Sequence, residues 1–219
     1  MNSRVGWSIP WQDSLVMLGD AIDIFPLSTS NSASLTIGCV APPSGVCMLD
    51  QMRRETLTIQ LSDSTYKISF DALTHNILKN LDWTNVVAAG GVVLGALLAP
   101  QSTEEQMGVE ACWAASDIDL FIYGLDQKQA EAKAQHIYDI YCANVPDSQR
   151  VLVVRSSKTV TLYSDYPTRR VQIVLKLNCS PLAVLLNFDL DICAVAWDGY
   201  RVYMLPRAAR ALESDVCAL

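Results

Sequence analysis

Residues 86–98 read Val-Val-Ala-Ala-Gly-Gly-Val-Val-Leu-Gly-Ala-Leu-Leu, and residues 116–123 read Ser-Asp-Ile-Asp-Leu-Phe-Ile-Tyr. These two stretches decide the fold. Four apolar residues running into Gly90-Gly91 read as a buried strand that ends in a turn, with Val92–Leu98 as the helix after it. The second stretch alternates strictly from Asp117 to Tyr123. A strand there places Asp117, Asp119 and Phe121 on one face and Ile118, Leu120 and Ile122 towards the core.

Working outwards, Asp126–Cys142 is a helix capped by Asp126, with Ala130, Ala134, Ile137 and Tyr141 recurring at helical spacing. Val151–Arg155, Thr159–Ser164 and Arg170–Leu177 are strands, the last two joined by a turn on Asp165-Tyr-Pro-Thr. Ser180-Pro181 opens a short helix through Leu186, with Pro at the tolerated first position. Asp191–Trp197 and Arg201–Leu205 form a hairpin around Asp198-Gly199, and Pro206–Glu213 is a closing helix. On the N-terminal side, Gln12–Ile22 reads as a short helix, followed by a Ser/Asn-rich loop at 28–34. Thr56–Leu61 and Tyr66–Phe70 read as strands and Asp71–Leu81 as a helix. Gln101–Glu110 is a polar, acidic loop. Strands alternating with helices and ending in antiparallel pairs give an α/β (α+β) class: one mixed β-sheet with flanking helices. The expected division is an N-terminal extension over 1–33 and one domain over 34–219.

Composition sets the bounds. Of 219 residues, 51% are hydrophobic and 18% charged, enough apolar material for a core. The net charge of −7 disfavours nucleic acid and anionic membranes as partners. The uncharged run Val86–Pro100 is too short for a membrane span and is broken by glycines. Asp13, Asp20 and Asp23 interrupt any apolar signal region, so a cytoplasmic or nuclear location is expected. Seven cysteines without a C-x-x-C pair, and only two histidines, do not make a zinc site; reduced thiols in the core are the expectation. Cys39 and Cys47 flank a Pro-Pro-Ser-Gly turn, without a disulfide being expected. Trp7 and Trp11, either side of Pro10, read as anchors of the N-terminal segment.

Chemistry concentrates where the two opening stretches meet. Two glycines at a strand-to-helix turn let a phosphate approach the backbone, where free N–H groups face it. Two carboxylates at i and i+2 of a strand suit Mg²⁺, which takes one or two carboxylates together with substrate phosphates. Asp117 and Asp119 are therefore the candidate metal ligands, and Gly90 and Gly91 the candidate phosphate cradle. Arg170, Gln172 and Lys176 share a face of the third strand, where Arg170 and Lys176 suit a triphosphate or a nucleic-acid backbone. Asp189 and Asp191 form a second D-x-D, available to add charge to the site or to cap a turn.

This order of strand, Gly-Gly turn, helix and D-x-D strand resembles the nucleotidyltransferase superfamily that includes DNA polymerase beta. The resemblance covers Val86–Tyr123 directly, with Arg170–Leu177 as its third carboxylate strand. The stretch from Ser116-Asp-Ile-Asp-Leu-Phe to Leu205-Pro-Arg-Ala is also similar to an uncharacterised domain of fungal and large-virus proteins, sometimes found beside ankyrin repeats. The superfamily resemblance implies Mg²⁺, a nucleoside triphosphate and an acceptor, with Asp117 and Asp119 catalytic. Two positions depart from its pattern: Val92 stands where a phosphate-binding Ser or Thr is usual, and Gln172 where the third carboxylate belongs. The loop between glycines and aspartates is also longer than usual.

Three functional readings follow. The first is a Mg²⁺-dependent nucleotidyl transferase acting with a nucleoside triphosphate on an unidentified acceptor, completed by Asp189 or Asp191. The second, motivated by Val92 and Gln172, is a non-catalytic binding or regulatory module with a protein partner. The third is an aminoacyl-tRNA-dependent biosynthetic transferase on the same scaffold, since a shared fold is not a shared function.

Overall fold

The computed structural model describes residues 10–20, 25, 28–30, 34–38, 46–47, 56–60, 62–98, 116–214 and 216–217. In chain order the strands are β1 (Val16–Met17), β2 (Ser28–Ser30), β3 (Ser34–Gly38), β4 (Val46–Cys47), β5 (Thr56–Gln60), β6 (Val86–Ala89), β7 (Ile118–Tyr123), β8 (Leu152–Arg155), β9 (Thr159–Tyr163), β10 (Val171–Asn178), β11 (Val195–Trp197), β12 (Val202–Met204) and β13 (Val216–Cys217). The α-helices are α1 (Asp63–Leu73), α2 (Gly91–Leu97), α3 (Gln127–Asn144), α4 (Pro181–Leu185) and α5 (Pro206–Ser214). Eight strands make one mixed sheet in the order β1-β12-β11-β6-β7-β10-β9-β8; β2-β3-β5 and β13-β4 form smaller sheets. This is the α/β class with a mixed sheet and flanking helices that the alternation of elements implied. No helix among the described residues is long and apolar enough to cross a membrane.

The centre of the large sheet is β6, β7 and β10. All four residues of β6 are buried, and β7 alternates buried Ile118, Leu120 and Ile122 with partly exposed neighbours. β7 runs antiparallel to β6, pairing Ala88 with Leu120, and parallel to β10, pairing Asp119 with Gln172. α3 packs on β7 and β10 through Ala130, Ile137 and Tyr141. A reciprocal capping box starts that helix: Asp126 Oδ1 accepts from Gln129 N–H, and Gln129 Oε1 accepts from Asp126 N–H.

Several local expectations are corrected. Gln12–Ile22 is not a helix. Trp11–Ser14 and Leu18–Asp20 are single 3₁₀ turns on either side of β1, which pairs with β12. Trp11 does anchor this segment, meeting the Tyr203 ring edge-on at 5.5 Å; Trp7 lies outside the described residues, as do Cys39, Cys112 and the loop 101–110. Tyr66–Phe70 is not a strand but the middle of α1. Ser62 caps this helix by accepting from Thr65 N–H, and the i, i+4 pair Tyr66 and Phe70 packs on Trp197. The helix expected over Asp71–Leu81 stops at Leu73, because His75, Asn76 and Asn80 adopt positive φ. Asp191–Cys193 is a 3₁₀ turn rather than the start of a strand. The hairpin turn spans Asp198–Arg201, since Trp197 pairs with Val202. Asp198 Oδ1 closes it by accepting from both Tyr200 and Arg201 N–H.

Candidate functional site

The sheet register assembles the site. Ala88 lies opposite Leu120, so the following Gly90-Gly91 turn stands at the end of β7 where Asp117 and Asp119 emerge. Gly90 holds φ +87°, ψ −144°, which side-chain-bearing residues rarely adopt, and its carbonyl accepts the first bond of α2 from Leu94. Val92, the residue in the usual hydroxyl position, is fully buried. An aromatic ring that sequence reasoning did not connect to the site also lies here. A Cβ on Gly90 would sit 2.9 Å from Phe188 Cε1, and Phe188 packs on Phe121 with centroids 5.9 Å apart. Phe188 therefore occupies space beside the glycine turn, on the face from which Asp119 projects.

The aspartates differ. Asp119 is the more enclosed, and burial, reinforced by the adjacent Asp117 charge, raises its pKa to about 6. Its Oδ1 accepts from Gln172 Nε2 at 3.2 Å. Asp117 Oδ1 lies 2.8 Å from Arg170 Nε, an ion pair in which the N–H does not point along the contact. The Arg170 guanidinium also lies 6.0 Å from the centroid of the Tyr163 ring. Behind the pair, Arg169 is buried and donates from Nη2 to Ser116 carbonyl oxygen at 2.7 Å and to Ser116 Oγ at 3.2 Å. Burial lowers the Arg169 pKa, while the nearby Asp117 charge acts in the opposite sense.

The remaining candidates are placed elsewhere. Lys176 donates at 2.7 Å to Oδ1 of Asn187, the residue before Phe188, and β10 loses register with β7 between Val174 and Asn178. Asp191 is buried and meets Arg207 Nη1 at 2.9 Å and Arg210 Nη2 at 3.8 Å, which directs it towards α5. Asp189 is exposed. Among the described residues there is no group of three or more His, Cys, Asp or Glu side chains arranged to hold a metal. The donor set among the described residues is the two carboxylates of Asp117 and Asp119. Two carboxylates fit one Mg²⁺ that takes its other ligands from phosphate and water.

Comparison with known proteins adds a family. The profile of the Gabija anti-defense 2 family matches residues 64–214, more than half of the chain, and the chain belongs to that family. It is also 28% identical to an uncharacterized protein of Acanthamoeba polyphaga mimivirus over 58% of this chain and 28% of the relative, so it spans little more than a quarter of that protein's length. Among solved structures it overlaps Cid1, described as having RNA terminal uridylyl transferase activity. That overlap has 14% identity, covers 56% of this chain and 32% of the other, and has a TM-score of 0.29, too low to carry an argument.

Proposed function

From membership in the Gabija anti-defense 2 family, we propose that this protein counters Gabija defence through a nucleotidyltransferase-like site, with Asp117 and Asp119 holding Mg²⁺ and a nucleoside triphosphate. The observation that carries this reading is the register of β6 against β7, which puts the Gly90-Gly91 turn beside the two aspartates. When bound, Mg²⁺ supplies charge neutralisation on the triphosphate and activation of the acceptor hydroxyl. Asp117 and Asp119 orient the ion. Gln172 holds Asp119 in one rotamer through its amide N–H. Arg170 shares its charge between Asp117 and an incoming phosphate oxygen. Buried Arg169 fixes the strand entrance by clamping Ser116, the residue before Asp117. The protein works in the cytoplasm of the defended cell.

A second reading is favoured by two observations: the amide of Gln172 faces Asp119, and Phe188 fills the space beside Gly90. On that reading the fold is kept as a non-catalytic binding module.

One paired experiment separates them. Calorimetry with each nucleoside triphosphate, with and without Mg²⁺, is run on the parent and on Asp117→Asn/Asp119→Asn. The same two proteins are then expressed in cells carrying the Gabija defence. Metal-dependent binding and relief of defence, both lost in the variant, support the transferase. Relief that survives in the variant supports the binding module.

A further inference from the structure

The far edge of the large sheet is β8, a four-residue strand with an exposed aliphatic run. All four residues are exposed, with Leu152 at 61%, Val153 at 45% and Val154 at 46%. Consecutive residues of a strand face opposite sides, so exposure of all three means that neither face of the sheet is covered there. β8 is short and carries charge at its ends, but it has no Pro and no bulge, and it pairs with β9 in unbroken register.

The direction of its free backbone groups follows from that register. Ser156 N–H donates to the Thr159 carbonyl, marking 156 and 159 as a hydrogen-bonded pair. Antiparallel pairs alternate, so Leu152 and Val154 bond inwards to β9, while Val153 and Arg155 turn N–H and C=O outwards. A row of matched registers, Asp119–Gln172–Thr161–Val154, links this edge to the aspartate site three strands away, about 14 Å at ordinary strand spacing.

The electrostatics of the edge are opposite to those of the chain. Residues 150–176 contain Arg150, Arg155, Lys158, Arg169, Arg170 and Lys176 against a single acid, Asp165, in a protein of net charge −7. Arg150, Arg155 and Lys158 are exposed and bracket the aliphatic strand. Nucleic acid would share the charge preference but binds single strands through aromatic platforms, and none of the four residues of β8 is aromatic. The strand offers Leu-Val-Val and an open backbone, which suit another strand.

We infer that β8 is a docking edge that accepts an extended segment of a partner protein as a ninth strand, the segment alternating aliphatic and acidic side chains. The backbone groups of Val153 and Arg155 supply the ladder. Leu152 and Val154 supply apolar contact on one face, and Arg155 lies on the other face, towards the acidic side chains. Arg150, Arg155 and Lys158 select acidic neighbours. This surface is independent of whether the aspartate pair is catalytic.

The test uses the full chain and a fluorescein-labelled decapeptide alternating valine and glutamate, followed by fluorescence anisotropy, with amide hydrogen exchange on the parent. Saturable binding is expected, with slowed exchange at Val153 and Arg155. A valine–lysine decapeptide should bind at least tenfold more weakly, and Arg155→Glu/Lys158→Glu should lose at least tenfold for the glutamate peptide. Val153→Pro removes one outward N–H while sparing the β8–β9 ladder, and should abolish binding. The exchange readout on the parent decides the matter even if that variant folds poorly. No binding, equal binding of both peptides, unchanged exchange at the two amides, or displacement by a thymidine decamer each overturns the inference. Sedimentation showing a parent dimer that Val153→Pro converts to monomer assigns the edge to a second copy and overturns it too.

Discussion

Gln172 Nε2 donates to Asp119 Oδ1 across 3.2 Å, so the third strand of the site presents a hydrogen-bond donor where a metal site would present a ligand. Gln172→Glu replaces that donor with a third carboxylate beside two others. Without metal the variant melts lower than the parent, by the equivalent of about 1–3 kcal/mol, because like charges then crowd one enclosed face. Added Mg²⁺ or Mn²⁺ raises its melting temperature in a concentration-dependent way, and more than it raises the parent's. A thermal-shift titration of both proteins checks this.

The pKa of Asp119 near 6 makes a statement about stability. A carboxylate whose folded-state pKa lies above its unfolded value binds more protons when folded. It therefore costs stability above pH 6, and the cost disappears as pH falls towards 4. Asp119→Asn removes a poorly solvated charge, so it stabilises the metal-free protein at pH 8 by roughly 2 kcal/mol and changes little at pH 4.5. Calorimetric melting at the two pH values reads the difference. On the transferase reading, metal-dependent triphosphate binding is expected to weaken as pH falls through about 6, where Asp119 takes up its proton, and calorimetry across that range checks it.

Gly90 is constrained by both its backbone and its neighbour. Gly90→Ala puts a Cβ at positive φ and 2.9 Å from Phe188 Cε1. A destabilisation of about 2–4 kcal/mol is expected from left-handed strain and overpacking together. In a Phe188→Ala background the overpacking component vanishes and only the backbone strain remains. Chemical denaturation of the four proteins in a double-mutant cycle measures the coupling.

Asp191 and Asp189 should separate cleanly. Asp191→Ala leaves the partly buried Arg207 without its carboxylate, though Arg207 Nη2 still donates to the Leu185 and Phe188 carbonyls. A loss of about 3 kcal/mol in denaturant unfolding is expected, with metal-dependent triphosphate binding retained by the folded fraction. Asp189→Ala, at an exposed position, should stay within about 0.5 kcal/mol of the parent.

The central sheet was legible because its strands carry strong local signals. Val86–Ala89 is uniformly apolar, β7 alternates, and α3 begins at a capping residue. The misreadings have physical causes. Thr65-Tyr-Lys-Ile-Ser-Phe70 alternates like a strand, and a strand would bury Tyr66, Ile68 and Phe70 together. The structure buries Tyr66 and Phe70 but leaves Ile68 71% exposed, because the aromatic pair meets Trp197 from one side of a helix. Only the tertiary partner distinguishes the two patterns. Asn76 and Asn80, both tolerant of positive φ, were the available signal that α1 ends early. In the site, the aspartates and glycines could be read from the order of motifs. Phe188 could not, since its approach to Gly90 depends on where the chain returns after α4. The burial of Arg169 likewise depends on Ser116 lying across the strand entrance, 53 residues earlier.

The pairing of β1 with β12 sets a condition on how the protein is made. Val16 meets Met204, 188 positions further along the chain, and β6 meets β11 only after more than a hundred residues have followed it. During synthesis the apolar strand β6 can meet β7 early, but its other edge waits on the nascent chain for β11. Folding of the large sheet completes only once the β11–β12 hairpin has cleared the ribosome, and until then the unpaired edge of β6 is open to chaperones and to other nascent chains.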